Sequence, residues 1–292
     1  MLGVHVSKES QVLDNKKPAD DLSIAIDRDV TALKLNCAQI FTYGPRFIVA
    51  NKINFDAVCN VTKDIELSVH SAYPTTAIWR VNNKNKTTDE SKKYLNNVKV
   101  QLLSCIKANA NGLVLHINRI EPSDAVETMK ILKPIVKKTN VTLLLEMVSS
   151  KAHPSKTYET PEKIDNLTKL IGASDNWWGW CVDTAHLWGA GVDIKSYASM
   201  KQWLDSLKNK NKILMFHLNG SSAAMGSGAD KHEAAFGPTD NIWQNIEPSQ
   251  SGVRAIMEFA ADHGLPVICE INRGKEKDIR KSITLIKSLI PA

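Results

Sequence analysis

Short runs rich in β-branched and aliphatic residues alternate along the chain with longer segments whose apolar residues recur every three or four positions. This alternation constrains the fold more than any other feature. Strand-like runs fall at Leu2–Val6, Cys37–Phe41, Leu67–Ser71, Gly112–Ile117, Val141–Met147, Trp178–Asp183, Ile213–Asn219 and Pro266–Ile271. Several are almost continuously apolar, as strands of a parallel sheet covered on both faces must be. Between them, Glu90–Ala108 sets Tyr94, Val98, Leu102 and Ile106 on one stripe. Asp124–Lys138 reads similarly, and Asp278–Ile290 aligns Ile279, Ile283, Ile286 and Ile290. Ser123-Asp124 and Thr160-Pro161-Glu162 open helices, and Gly264 followed by Pro266 closes one. Eight βα units in 292 residues, with no linker-like shift in composition and no repeat, predict an α/β chain folded as a single (β/α)8 TIM barrel over residues 1–292.

An apolar content of 43% with 23% charged residues excludes a disordered chain or a fibre. No run of 18 apolar residues occurs, so no membrane contact is expected. The opening MLGVHVSKES lacks the basic and apolar regions of a secretory signal. The five cysteines (Cys37, Cys59, Cys105, Cys181, Cys269) are scattered without a C-x-x-C pair, which argues against a disulfide framework and against a thiolate metal site. The expected location is intracellular, with nucleus, cytoplasm and virion undistinguished; sequons such as Asn60 and Asn140 then carry no meaning. The balance of 37 basic against 31 acidic side chains, +6, permits a polyanionic partner without requiring one. Nothing in the pattern requires a dimer, and a monomer is expected.

In a parallel barrel the working residues project from the C-terminal ends of the strands. At the ends of the third to eighth strand-like runs stand His70, His116, Glu146, Asp183, His217 and Glu270. His186 follows Asp183 in D-T-A-H, and Asp230 and His232 lie in the loop after His217. A histidine or carboxylate at a strand end often serves only as a hydrogen-bonded structural group or a helix cap. Five of the eight histidines fall at this rim, however, with His5, His153 and His263 assigned elsewhere, and three of the carboxylates interrupt apolar strands in LLLEM, WCVDTAH and VICEIN. Burying such a set together without a cation would cost on the order of several kcal/mol per group.

Imidazole and carboxylate donors without thiolate suit catalytic Zn²⁺, with Mn²⁺ or Fe²⁺ as substitutes. At about three or four protein ligands per ion and one bridging carboxylate, nine donors suffice for three ions. Clusters with metals about 3.5–4 Å apart are the usual apparatus for in-line displacement at phosphorus, so phosphodiester hydrolysis is the expected chemistry.

The ordered set resembles the endonuclease IV family of apurinic/apyrimidinic (AP) endonucleases, from GVHVS near the start to CEIN. It does so most specifically in VDTAH (Val182–His186), HLN (His217–Asn219) and the G-S-x-x-D-[RK]-H segment (Gly226–His232). The compact chain looks most like the forms carried by large DNA viruses. The resemblance implies the same barrel and an assignment of roles. His70, His116 and Glu146 would hold a first zinc, Glu146 bridging to a second completed by Asp183, His217 and Glu270. His186, Asp230 and His232 would hold a third. A hydroxide oriented by Glu146 and Glu270 would attack the phosphorus 5′ to an abasic site in double-stranded DNA, leaving a 3′-hydroxyl and a 5′-deoxyribose phosphate. Blocked 3′ ends would be cleaned by the same diesterase chemistry. Arg46 in FTYGPR and Tyr73 match positions where the family pushes side chains into the minor groove, and Lys231 stands where a phosphate contact is expected. Arg80, Lys84 and Lys86 form a further stretch suited to the DNA backbone, and Ser7–Asp20 receives no role. Gly220 and Met147 depart from the family pattern of Asp after HLN and of Asn or Thr after the bridging Glu, which puts support around the ligands in question.

Other features read as structure. Trp177, Trp178 and Trp180 are expected to pack against helices, and Cys181 and Cys269 within the barrel wall, Cys181 on the face of Asp183 and Cys269 away from Glu270. The KEKDIRK run is the wet face of the last helix. The rival function is a sugar isomerase or epimerase on the xylose-isomerase-like form of the same barrel, using one or two divalent metals; a DNA-damage binder without catalysis comes third. His186, Asp230 and His232 favour the nuclease, because hydride shift or proton transfer has no evident use for a third ion.

Overall fold

The apolar runs hydrogen-bond into a ring. Strands β1 (Leu2–Val6), β2 (Cys37–Phe41), β3 (Glu66–His70), β4 (Gly112–Ile117), β5 (Thr142–Met147), β6 (Trp178–Asp183), β7 (Ile213–His217) and β10 (Val267–Cys269) pair in that order, every pair parallel, and β10 closes onto β1. A computed structural model describes residues 1–7, 21–43, 46, 53–81, 87–117, 119–150, 156–270 and 276–291. Helices α1 (Leu22–Leu33), α2 (Phe55–Thr62), α3 (Thr88–Lys107), α4 (Pro122–Val136), α5 (Pro161–Ile171), α6 (Thr184–Gly189), α7 (Tyr197–Ser206), α8 (Gly252–His263) and α9 (Glu276–Lys287) fill the crossovers. Among the described residues no helix is long and apolar enough to cross a membrane. Two elements escape the sequence pattern: the short helix α6, and a two-residue antiparallel ladder between β8 (Gly220–Ser221) and β9 (His232–Glu233).

Strand alternation divides the interior in two. Outward-facing residues such as Val4, Ile40, Leu113, Leu145, Trp178, Trp180 and Cys269 join the helices in one large core. Inward-facing Cys37, Val114, Leu144, Cys181, Met215 and Ile268 form a small apolar plug across the barrel. The tryptophans and both cysteines therefore pack as expected. Burial pushes the thiols of Cys181 and Cys269 up to about 12, which leaves neither as a nucleophile near neutral pH.

Helix ends match the sequence signals where the capping chemistry is specific. Thr160 caps α5 with Pro161 in its first turn, and Gly264 ends α8 in the left-handed region at φ 65°. The start of α4 moves forward, with Glu121 as its N-cap and Pro122 in the first turn in place of Ser123-Asp124. In α3 the fourth member of the expected stripe, Ile106, is exposed while Cys105 is buried. Steps of four residues overshoot a full turn by about 40° each, so the end of a long i, i+4 stripe rotates off the core. Ile290 likewise lies beyond the end of α9 and is exposed.

Gly3 shows how tightly the plug is packed. A Cβ at this position would lie 2.2 Å from the Cys37 carbonyl oxygen and 2.6 Å from its sulfur. Both contacts lie on β1's paired neighbour, where Gly3 is opposite Cys37, so backbone would have to move. Gly3→Ala is expected to destabilise the fold by about 1–3 kcal/mol, read as a lower urea midpoint with an unchanged slope; an unchanged midpoint would show that the β1–β2 spacing is freely adjustable.

Candidate metal centre

Above the plug, the same alternation turns polar side chains into the barrel mouth. Strand register then sets the pairs: His116 lies opposite Glu146 across β4 and β5, and Asp183 lies opposite His217 across β6 and β7. The second pairing depends on an irregularity. Trp180 pairs with Ile213, but Cys181 pairs with Met215, so Leu214 is skipped. Without that extra residue Asp183 would face Phe216, an outward residue of the apolar core. Asp183 also caps α6, its Oδ1 accepting from the His186 amide at 2.9 Å, which folds His186 back over the mouth.

Glu146 is the hub. It is buried, and its Oε2 lies 3.1 Å from Nε2 of both His70 and His116, while its Oε1 lies 3.1 Å from His217 Nδ1 and 3.5 Å from His186 Nδ1. Three sets of donor atoms each fall within 4.8 Å of one another: His70, His116 and Glu146; Glu146, Asp183, His217 and Glu270; and Asp183, His186 and His232. Asp230 joins the third set, 2.8 Å from His232 Nε2 and 3.4 Å from His186 Nε2. All nine side chains expected at the rim thus converge, and Asp183 belongs to two sets at once.

Neighbouring groups fix the direction of several of these side chains. His70 Nδ1 donates to the Ser71 carbonyl at 2.8 Å and His186 Nδ1 to that of Met147 at 2.6 Å, so both rings present Nε2 elsewhere. Met147 accordingly supports the site through its backbone, where the side-chain identity matters little. Asn219 donates to Asp183 Oδ2 at 2.7 Å and to Glu270 Oε2 at 3.0 Å, and its own oxygen accepts from the Glu270 amide. Gly220 is explained by Asp240, because a Cβ at 220 would come 2.6 Å from the Asp240 Cγ. The buried Asp240 carboxylate accepts from the amides of Ser221, Phe236, Ile242 and Trp243 at 2.9–3.2 Å, tying down the loop that carries Asp230 and His232.

Two members of the site were not anticipated. His5, assigned away from the rim by sequence, lies buried at the end of β1 with its ring 4.7 Å from that of Phe41. Gln39, its partner across β1 and β2, is buried and bonds His5, His217 and Glu270. The signal was alternation: Gly3 and His5 share one face, as do Cys37 and Gln39.

Electrostatics and donor chemistry both fit divalent cations. Burial opposes ionisation of Glu146, yet the His116 and His217 imidazoles hold it well below the usual carboxylate range. Burial likewise opposes the charge on Glu270, which His217 and His232 hold low. Desolvation disfavours protonated His186, but Asp183 and Asp230 push it up to about 9. His217 Nδ1 is buried with no well-directed hydrogen bond, although 3.1 Å from Glu146. Ligands held at about 2.0–2.2 Å by a tetrahedral ion stand roughly 3.3–3.6 Å apart, which the 3.1–3.8 Å spacings around His217 match.

The residues expected to meet DNA lie on the same end of the barrel. Tyr73, 47% exposed, packs its ring against those of Phe41, His70 and His116. Arg46 is exposed in the connection after β2, and Lys231 is exposed between Asp230 and His232. Arg80 ends a 3-10 turn spanning Tyr73–Arg80. Lys84, Lys86 and nearly all of the Ser7–Asp20 loop lie outside the described residues.

The raised His186 value predicts a pH dependence for the metal-free chain. Protonated His186 stabilises the fold fully below its unfolded pKa near 6.5, and this contribution is lost as pH rises through about 9. In chelator, the thermal midpoint is therefore expected to fall between pH 6.5 and 9. With divalent metal the ligands must shed protons, so metal stabilisation should grow over the same interval. Parallel melting curves check both; a chelated protein whose midpoint is flat across this interval would show that the imidazolium–carboxylate contacts do not form.

A family model described as a xylose isomerase-like TIM barrel, AP_endonuc_2, matches residues 29–289. The probable AP endonuclease of African swine fever virus (isolate Tick/Malawi/Lil 20-1/1983) is 31% identical over 259 residues, covering 85% of this chain and 82% of that protein. The crystal structure of AsfvAP:AG is similar at 29% identity with a TM-score of 0.83, covering 99% of this chain and 98% of that one. Endonuclease IV from Thermus thermophilus, 19% identical, shares the fold at a TM-score of 0.72 over 99% of this chain and 98% of its own. The sequence match, the closed parallel barrel and the clustered ligands agree: the chain belongs to the AP endonuclease family of xylose isomerase-like TIM barrels.

Proposed function

We propose that the chain hydrolyses the phosphodiester 5′ to abasic sites in double-stranded DNA, using three zinc ions and leaving a 3′-hydroxyl and a 5′-deoxyribose phosphate. The observation that carries this assignment is the single cluster built on Glu146, in which nine imidazoles and carboxylates make three overlapping ligand sets. His70, His116 and Glu146 would hold one ion. Glu146, Asp183, His217 and Glu270 would hold the second, and His186, Asp230 and His232 the third. When bound, such ions supply positive charge for a phosphorane-like transition state and lower the pKa of an attacking water. Manganese or ferrous ions could replace zinc at the same donors.

The protein's own contribution is orientation and exclusion of water. Glu146 and Glu270 bring carboxylate oxygens into one ligand set and would align the water for in-line attack, while Asn219 holds the Asp183 and Glu270 carboxylates in register. Tyr73 stands beside His70 and His116, and partial desolvation in the mouth together with the charges of Glu270, Asp230 and Glu146 pushes its half-exposed phenol up, so it stays neutral. A neutral aromatic ring there suits a wedge against the nucleotides flanking an extruded abasic sugar. Arg46 would enter the minor groove and Lys231 would contact phosphate. The same cluster would remove blocking groups from 3′ ends, since that is also a phosphodiester hydrolysis, and the protein would act as a monomer.

Duplex DNA with one tetrahydrofuran abasic analogue tests the assignment, because the analogue cannot undergo β-elimination. The fully metallated chain should cut 5′ to the analogue and leave a 3′-hydroxyl end, and Glu270→Gln should lower the rate by about 100-fold or more. No incision by the metallated wild type would return the site to isomerase chemistry. Tyr73→Ala separates recognition from metal binding: discrimination for abasic over intact duplex should drop about 10-fold or more, at the scale of one lost stacking contact, with metal content unchanged. Loss of metal in that variant would make Tyr73 a structural residue of the cluster.

A further inference from the structure

We infer that Gln39 is a positioning residue that sets the tautomer of His217 and the facing oxygen of Glu270. The inference rests on the metal-dependent reading above and concerns the set formed by Glu146, Asp183, His217 and Glu270. Gln39 sits in β2, wholly buried, and touches no solvent that could compete for its amide. Its Oε1 lies 3.0 Å from His217 Nε2. Its Nε2 lies 3.2 Å from Glu270 Oε1 and 3.0 Å from His5 Nδ1, so the amide's two hydrogens have one acceptor each.

The direction of the amide is decided by its neighbours. A flipped Gln39 would set its oxygen against the Glu270 carboxylate, two acceptors at hydrogen-bond distance with no proton between them. The NH2 group must therefore face Glu270 and His5, and the oxygen must face His217. His217 is wholly buried, so its Nε2 has to carry the hydrogen that Gln39 accepts. In the neutral ring the lone pair then resides on Nδ1. That atom is the one aimed into the cluster, 3.1 Å from Glu146, 3.8 Å from Asp183 and 3.7 Å from Glu270. His70 and His186 receive the same service from backbone carbonyls, which leaves their Nε2 atoms facing the ligands. For His217 a side chain does it, and the side chain also anchors a second ligand of the same set. The amide accepts from His217 with Oε1 and donates to Glu270 and His5 with Nε2; an ionised carboxylate lacks the donor, a hydrocarbon lacks both functions, and a hydroxyl has a single hydrogen for two acceptors.

Two full-length variants test this. Gln39→Leu removes all three polar contacts at similar volume. Gln39→Glu keeps the shape and the acceptor for His217 but replaces the donor to Glu270 with a repelling oxygen. Zinc affinity and stoichiometry, read by competition with a chromophoric chelator, should show one class of ion bound about 10–100-fold more weakly in Gln39→Leu and Gln39→Glu, with the other ions unaffected. Their kcat on the abasic duplex should fall while KM stays near wild type. Because Gln39→Glu is isosteric, wild-type binding of every zinc in that variant would overturn the inference even if Gln39→Leu proved unfolded by circular dichroism. A uniform loss of all zinc would overturn it too, assigning Gln39 to packing alone. A wild-type chain that binds no zinc would instead overturn the metal-dependent reading itself, so the two failures are distinguishable.

Discussion

A carboxylate that is almost fully buried must find cations or hydrogen-bond donors on every side, and Glu146 finds four imidazoles. The rest of the barrel mouth is organised around that requirement. His70, His116, His186 and His217 come from four different strand ends or the turns after them, so the cluster can form only if the barrel closes in one register. Fold and site are therefore one problem. The apolar plug beneath excludes water from below, which raises the stake of every polar contact above it, and the hydrogen bonds accepted by Ser71, Met147 and Gln39 and donated by Asn219 leave few directions to chance.

Much of this architecture follows from strand alternation with one deliberate exception. Residues two apart on a strand share a face, so Cys181 lies in the plug and Asp183 in the mouth above it. On β7 the rule is broken by Leu214, which turns inward together with Met215 and fills the space left by Gly179. A side chain on Gly179 would collide with Leu214 at 2.3 Å. The irregularity costs one ladder position and returns the pairing of Asp183 with His217, the pair that links the second and third ligand sets.

Membership of the AP endonuclease family agrees with this geometry, and the chain's departures from the family pattern become intelligible beside it. Gly220 is small because Asp240 occupies the adjacent space and gathers four backbone amides, so loop order is secured from the other side of the hairpin. Met147 matters through its carbonyl, which any residue would provide. Neither change alters a donor atom that faces the cluster. Support for a metal site can shift from one residue to another provided the donors and acceptors that face the ligands keep their directions.

Six of the nine candidate ligands were legible in the sequence because each interrupts or ends an apolar run, where a charge or imidazole has no business unless it meets others of its kind, while His186, Asp230 and His232 stand in the turns beyond Asp183 and His217. Alternation likewise separated Cys181 from Cys269 and consigned the tryptophans to the helix-facing core. His5 and Gln39 escaped because alternation puts them on the inner face without saying what they meet there; their importance arises from the cross-strand pairing of β1 with β2 and from Glu270, 231 residues beyond Gln39. What the sequence by itself determined was the alternation of elements, the face each strand residue takes and the chemical identity of the donors, all of which follow from local periodicity. What only the tertiary structure decided was register: the skipped Leu214, the carboxylate of Asp240 beside Gly220, and the amide of Gln39 between His217 and Glu270. These depend on which residues close packing places side by side, and a chain read in order has no term for that.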